Sequence, residues 1–210
     1  KKKKLDKNKI DILVCVTQTP DYLMPSCSNI IHQKLKLKKE CLTYDINLGC
    51  SGYIYGLWNI MSLMEKCRMQ KGLLLVGDTI SKTISNKDEA NKLLFGDGVS
   101  CSIIGFKKNS KSFFKLGSGN YGYDKLMIKD SGFRNMKSYK PNFFMDGKEV
   151  FNFVIKNIPA LIKDLIKSAK FNNKKVNNYI FHQANKMMVE KIFDLLNVSK
   201  KKRLYSIEKY

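Results

Sequence analysis

Two residues have the chemistry and the setting for catalysis, and they lie far apart in the chain. Cys50 stands in the run Asp45-Ile46-Asn47-Leu48-Gly49-Cys50-Ser51-Gly52-Tyr53, between the end of an apolar strand and the start of an apolar helix. A thiol at a helix N-terminus meets the positive end of the macrodipole and the unpaired first-turn N–H groups, and both favour thiolate. The same N–H groups could hold the oxyanion of a thioester under attack. The small neighbours Gly49, Ser51 and Gly52 leave room for a substrate to approach the sulfur. A buried core thiol is the commoner role for a lone cysteine, and that alternative stands beside the nucleophile.

His182 is the second candidate, in Tyr179-Ile180-Phe181-His182-Gln183-Ala184-Asn185, where an apolar run meets a polar cluster that opens a helix. Strand-to-helix turns at the C-terminal edge of an α/β sheet are where such folds place their chemistry. A structural histidine satisfied by its neighbours is the plain alternative. The other histidine, His32, falls in a polar helical stretch and reads as a surface residue. A single cysteine with a distant histidine is a recognised nucleophile signature.

The elements that must position these groups alternate along the chain. Short apolar, β-branched runs at Ile10 to Val16, Leu42 to Ile46, Gly72 to Val76 and Val99 to Phe106 read as strands, and Phe95-Gly96-Asp97-Gly98 as the tight turn before the last. Ser26 caps a helix through Ile30, Ile31 and Leu35. After Gly52, Ile54, Leu57, Trp58, Met61 and Met64 recur at helical spacing with Ile60 and Leu63 beside them, so this helix is expected to be buried nearly all round. The polar stretch Lys107 to Ser112 divides the chain into residues 1–111, with Cys50, and 112–210, with His182. Beyond it, Phe113 to Leu116, Val176 to Phe181 and Arg203 to Ile207 read as strands. Helices are expected from Lys148 to about Ser168, kinked at Pro159, and from Asn185 to Leu196. The segment Gly117 to Asn142 is a long loop of the kind that carries function. Strands alternating with helices make the class α/β, with a parallel or mixed sheet covered on both faces.

Composition narrows the function classes. A chain of 210 residues that is 43% hydrophobic has enough apolar material for a packed core, and no apolar run approaches the roughly 20 residues of a membrane span. Six cysteines without paired CxxC spacing carry neither a zinc site nor a disulfide scaffold. Lys1 to Lys4 is basic but no apolar h-region follows, so a cytoplasmic location is expected. The net charge of +21 first suggests an acidic partner. Only Arg68, Arg134 and Arg203 are arginine, however, and the lysines run from end to end; nucleic-acid recognition favours the bidentate arginine fork, so no nucleic-acid partner is expected.

Four ordered motifs together carry a resemblance: the cysteine segment Tyr44 to Tyr53, the Phe95 to Gly98 turn, Met145-Asp146-Gly147-Lys148-Glu149-Val150-Phe151, and His182-Gln183-Ala184-Asn185. In order and spacing they resemble β-ketoacyl-acyl-carrier-protein synthase III, of the thiolase superfamily, over nearly the whole chain. The resemblance implies a thiolase-like fold, two similar halves of mixed sheet and helices stacked as five layers. It implies that Cys50 takes an acyl group from acyl-coenzyme A, and that His182 with an asparagine polarises a malonyl thioester on the carrier protein during decarboxylative Claisen condensation in fatty acid synthesis. No cofactor and no metal are implied, since acyl-coenzyme A and malonyl carrier protein are substrates. Met145, Gly147 and Phe151 would wall the substrate channel, and Ala184 and Asn185 would lie beside the pantetheine arm. Met24 would reach across a homodimer into the partner's acyl pocket. Lys148, Lys186 and Lys191 would meet the acidic carrier protein.

The departures are equally specific. Where the family often carries an arginine against the adenine, the chain reads Asp88-Glu89-Ala90-Asn91. The family's Gly-Asn motif with the catalytic asparagine is expected just after Tyr210, and its first strand and helix before Lys1. The expectation is therefore a fragment that does not complete condensation by itself. Two other readings stay open at this level: an acyltransferase of the same superfamily acting on a non-malonyl acceptor in polysaccharide or secondary-metabolite synthesis, and an inactive partner that binds carrier protein.

Overall fold

The computed structural model describes residues 6–107, 109–133, 140–172 and 175–207. It divides into two compact units, Lys1–Ile80 with Gly96–Lys111, and Ser81–Phe95 with Ser112–Tyr210. The stretch 81–95, which a division at residue 111 leaves with the first unit, thus groups with the second.

The first unit is built on β1 (Ile12–Val16), β2 (Leu42–Ile46), β3 (Lys71–Asp78) and β4 (Gly98–Gly105), in the sheet order β2-β1-β3-β4. β1 runs parallel to both neighbours, with Ile12 level with Leu42 on one side and Gly72 on the other, and β4 returns antiparallel to β3. Every residue of β1 is buried, because both faces of the sheet are covered. Ile12, Val14 and Val16 point to α2 (Gly52–Lys66) and pack with Ile60, Met64 and Leu74. Leu13 points the other way, into a cluster with Ile10, Leu37 and Leu73 that the Ile31 and Leu35 side chains of α1 (Cys27–Leu35) close. Alternation with period two therefore feeds two cores, and each such buried aliphatic is worth about 1.5–3 kcal/mol.

α1 starts where the sequence places it. Ser26 Oγ accepts from Asn29 N at 3.4 Å, and the Asp45 carboxylate, reaching over from β2, accepts from Cys27 N at 2.7 Å and Ser28 N at 2.8 Å. A carboxylate on these orphan N–H groups also complements the helix dipole. His32 is half-buried and its Nε2 lies 2.9 Å from the Lys38 carbonyl, so it ties the chain leaving α1 to the helix and is not the surface residue expected.

Asp11, just before β1, pairs with Lys38 and accepts from the backbone N–H groups of Gln70 and Lys71. Burial pushes its carboxyl up, but the Lys38 ammonium and the two N–H groups outweigh that and hold it below the ordinary carboxylate range. A depressed carboxyl stabilises the fold above the unfolded pKa, and this contribution is lost as pH falls through the folded one. Chemical denaturation across pH is therefore expected to show stability falling below about pH 4, with the acid limb shallower in Asp11→Asn.

The expected all-round burial of α2 is corrected. Its buried stripe is Gly52, Gly56, Ile60 and Met64, while Tyr53, Ile54 (47% exposed) and Trp58 (40%) are open to solvent. The helix turns its small residues to the sheet, since glycine lets the backbone approach closely.

The second unit holds α3 (Glu89–Leu94), a two-stranded antiparallel sheet of β5 (Leu126–Lys129) and β6 (Asn142–Met145), α4 (Gly147–Ser168) and α5 (Lys186–Leu195). Its core gathers Met188, Val189, Ile192 and Phe193 of α5 against Phe151, Val154, Ile158 and Ile162 of α4. α4 continues through Pro159 to Ser168 as one helix. Three expected strands are not found as strands. Among the described residues, 113–116 form no strand pairing, and between 176–181 and 203–207 Tyr179 and Arg203 alone form a parallel bridge. Conversely, β5 and β6 arise inside and at the end of what reads as a loop. In place of a longer ladder, Arg203 anchors its segment by bonding Glu190 at 2.6 Å, Asp194 at 2.9 Å and the Val198 carbonyl at 2.9 Å.

Candidate active site

Cys50 is exposed in the turn between β2 and α2. The turn is closed by Gly52 N donating to the Gly49 carbonyl at 2.7 Å, and Ile54 and Tyr55 then donate to the Ser51 carbonyl as the helix begins. Ser51, the N-cap residue, makes no side-chain cap bond to this helix start. Glycine is required at Gly52, where the turn meets the sheet: a β-carbon there would lie 2.4 Å from Val16 Cγ1. At Gly49 the near atom is the Gln18 Oε1 end of a flexible side chain.

Below that turn, Asp78 at the end of β3 organises the loop after β1. Its Oδ1 accepts from the Thr17 and Thr19 hydroxyls, both at 2.9 Å, and from the backbone N–H groups of Gln18 at 2.6 Å and Thr19 at 3.0 Å. A shallow cavity of about 200 Å³ opens between this loop and β2, lined among others by Thr17, Tyr22, Leu23, Asp45 and Asn47. Cys50 does not line it. Met24, just beyond, is 84% exposed.

The other five cysteines differ from Cys50 in setting. Burial pushes the Cys15 thiol up to about 12 and raises those of Cys27 and Cys41. Cys67 and Cys101 are exposed, but Cys67 ends α2, where carbonyls point outward, and Cys101 lies on β4. Only Cys50 combines exposure with a helix N-terminus.

In the second unit His182 is exposed, three residues beyond the Tyr179 bridge and four before the start of α5. Asn185 caps α5, its Oδ1 accepting from Met188 N at 2.8 Å. Ala184 and Phe151 pack on the α5 core, as plain core residues would. Met145 ends β6, and Gly147 opens α4 behind its cap Asp146, which accepts from Glu149 N at 3.1 Å. Lys148, Lys186 and Lys191 are all exposed. Asp88, in the stretch that departs from the family's arginine, has a structural duty: it caps α3, accepting from Asn91 N at 3.1 Å and Asn91 Nδ2 at 2.7 Å.

Gln183 was not singled out from the sequence, yet its amide makes two bonds next to His182, to the Phe181 carbonyl and from Ser206 N. Asp78 and Gln18 were likewise missed, since a carboxylate at a strand end and a glutamine in a loop carry no signal of their own. Among the described residues no three His, Cys, Asp or Glu side chains come together as a metal site, and no helix is long and apolar enough to cross a membrane.

Residues 44–122 match the family model for 3-oxoacyl-[acyl-carrier-protein] synthase III. A β-ketoacyl-[acyl-carrier-protein] synthase III of Lactobacillus helveticus is 32% identical over 96% of this chain and 64% of its own length. Among solved structures, a 3-oxoacyl-(acyl-carrier-protein) synthase III superposes with a TM-score of 0.88 at 25% identity, over 95% of this chain and 65% of that one. A 3-oxoacyl-(acyl-carrier protein) synthase from Burkholderia xenovorans does so with a TM-score of 0.85 at 32% identity, over 96% and 60%. The chain therefore spans somewhat less than two thirds of the length of these relatives, and its fold is the thiolase-like fold they share.

Proposed function

The chain belongs to the 3-oxoacyl-[acyl-carrier-protein] synthase III family, and from that premise we propose that the whole protein is a condensing enzyme of fatty acid synthesis. The observation that carries the reading is Cys50, exposed at the uncapped start of α2. Its sulfur attacks the carbonyl of an acyl-coenzyme A thioester, and first-turn N–H groups stabilise the oxyanion. The coenzyme A thiolate leaves and takes a proton, so the acyl group rests on sulfur. The malonyl thioester of the carrier protein then loses carbon dioxide. His182, neutral and donating, stabilises the resulting enolate, which attacks the acyl-cysteine and releases the Cys50 thiolate.

In this reading Met145, Gly147 and Phe151 wall the substrate channel, and Ala184 and Asn185 lie beside the pantetheine arm. Lys148, Lys186 and Lys191 form the basic surface for the carrier protein, and the enzyme works in the cytoplasm without a cofactor. A homodimer is supported by β4, a sheet edge that presents Val99 (79% exposed) and Ile103 (55%). An apolar edge strand is stable in water only when another strand or element covers it. Met24, exposed beside the cavity after β1, would then reach the partner's acyl pocket.

The test is direct. Full-length protein mixed with acyl-coenzyme A is expected to gain the mass of one acyl group, and on adding malonyl carrier protein to release carbon dioxide in step with product. An acyl adduct without carbon dioxide would make it a plain acyltransferase. No adduct at all would overturn both.

A further inference from the structure

The described contacts beside His182 contain a rung that a parallel ladder would not have. Tyr179 N donates to the Lys202 carbonyl at 2.9 Å, and Leu204 N donates to the Tyr179 carbonyl at 3.2 Å, which is one regular parallel step. The next step along would have Ser206 N donating to the Phe181 carbonyl. It does not form. The Gln183 side-chain amide sits between the two groups instead: Ser206 N donates to Gln183 Oε1 at 3.3 Å, and Gln183 Nε2 donates to the Phe181 carbonyl at 3.0 Å.

This arrangement has two mechanical effects. The bond from Gln183 back to Phe181 closes a small ring around the backbone of His182, which lies between them. The bond to Ser206 fastens that ring to the segment held by Arg203, Glu190 and Asp194. On the other side, the Asn185 cap fixes the start of α5. The backbone carrying the imidazole is therefore held by the amide on one flank and the helix cap on the other. The amide uses both its donor and its acceptor, a combination that neither methionine nor an ionised glutamate supplies.

We propose that Gln183 is a positioning residue for His182: its amide, inserted into the strand pairing, sets where the imidazole stands, without touching substrate. The proposal rests on the reading of His182 as the group that stabilises the enolate. A displacement of the order of 1 Å at a catalytic group costs about 100-fold in rate. Gln183→Met keeps the length and volume of the side chain and removes both hydrogen bonds. In the full-length protein it is expected to lower kcat for malonyl decarboxylation about 100-fold, to leave the malonyl carrier KM and the rate of Cys50 acylation within about twofold, and to move the His182 ring signals in the proton–nitrogen spectrum.

Decarboxylation retained at the normal rate, or acylation and decarboxylation lost in equal proportion, would overturn the proposal. Gln183→Glu covers the case where the methionine variant fails to fold. Below about pH 4.3 its carboxyl is protonated and again offers a donor and an acceptor, so its decarboxylation profile should rise toward acid relative to wild type, and an unchanged profile shape counts against the role. If wild-type protein neither takes an acyl group nor releases carbon dioxide, the proposed function fails by itself. The His182 ring signals of the variant then still decide the positioning claim: shifted signals support it and unshifted ones refute it.

Discussion

Cys50→Ala is expected to remove the acyl adduct from the full-length protein and to reduce condensation by on the order of 10⁴-fold or more, the range in which loss of a covalent nucleophile falls. The side chain is exposed in a turn whose closure depends on backbone bonds, so folding should be nearly unaffected, within about 0.5 kcal/mol. That separates chemistry from stability. Cys67→Ala and Cys101→Ala, exposed but away from any helix N-terminus, should keep the adduct. Cys15, Cys27 and Cys41 are held protonated by burial, so a thiol-directed reagent near neutral pH should also single out the exposed sites. Intact mass of wild type and variants after exposure to acyl-coenzyme A checks this. An adduct that survives Cys50→Ala would place the acyl group elsewhere.

Gly56→Val carries the second large effect, and it acts on the fold first. A β-carbon at Gly56 would lie 2.7 Å from Leu74 Cδ1 and 3.0 Å from Val16 Cγ2, both side chains of the sheet under α2. Two terms compete. Replacing a mid-helix glycine gains helix propensity, at most about 1 kcal/mol and less for a β-branched residue. Overpacking a closed core costs about 1–3 kcal/mol, and more when a whole helix must lift. The second term wins because Val16 and Leu74 are themselves buried, with no solvent side to retreat to. A net loss of about 2–3 kcal/mol is expected, read as a fall in Tm of about 5–10 °C for a chain of this size. Since Cys50 lies in the turn that leads directly into α2, acylation should slow as well. Ser62→Ala, on the exposed side of the same helix, should do neither. Thermal unfolding of the three proteins side by side measures the first claim, and the rate at which intact mass rises with acyl-coenzyme A measures the second.

The elements that were legible are those in which one local signal agrees with the tertiary demand. β2 runs from Leu42 to Ile46, and α1 begins behind Ser26, because a short β-branched run and a capping hydroxyl act within a few residues of themselves. α2 shows the limit. Its apolar spacing predicts a hydrophobic buried set, whereas Gly52 and Gly56 form the contact with the sheet and Trp58 faces solvent. Periodicity counts apolar side chains, and a face built on close backbone approach has few to count. Residues 176–181 and 203–207 look like strands because they are apolar and β-branched, but pairing requires a partner rung, and Gln183 occupies one. β5 was hidden inside a glycine-, tyrosine- and lysine-rich segment, where four residues give too little alternation to notice.

By itself the sequence carries the family likeness and singles out Cys50 and His182 as the candidate reactive side chains. Ordered motifs with fixed spacing name a common ancestor, and a cysteine before a glycine-flanked helix or a histidine after a strand is a local arrangement of neighbours. Only the tertiary structure decided what holds those side chains in place. The Asp78 carboxylate gathering the loop after β1, Gln18 lying against Gly49, the glycine face of α2 and the Gln183 amide beside His182 join residues distant in the chain, or replace an expected backbone bond by a side-chain one. Such contacts have no periodicity and no motif. They exist because buried N–H and C=O groups must find partners wherever the packed elements leave them, and that placement is known only once the chain is folded.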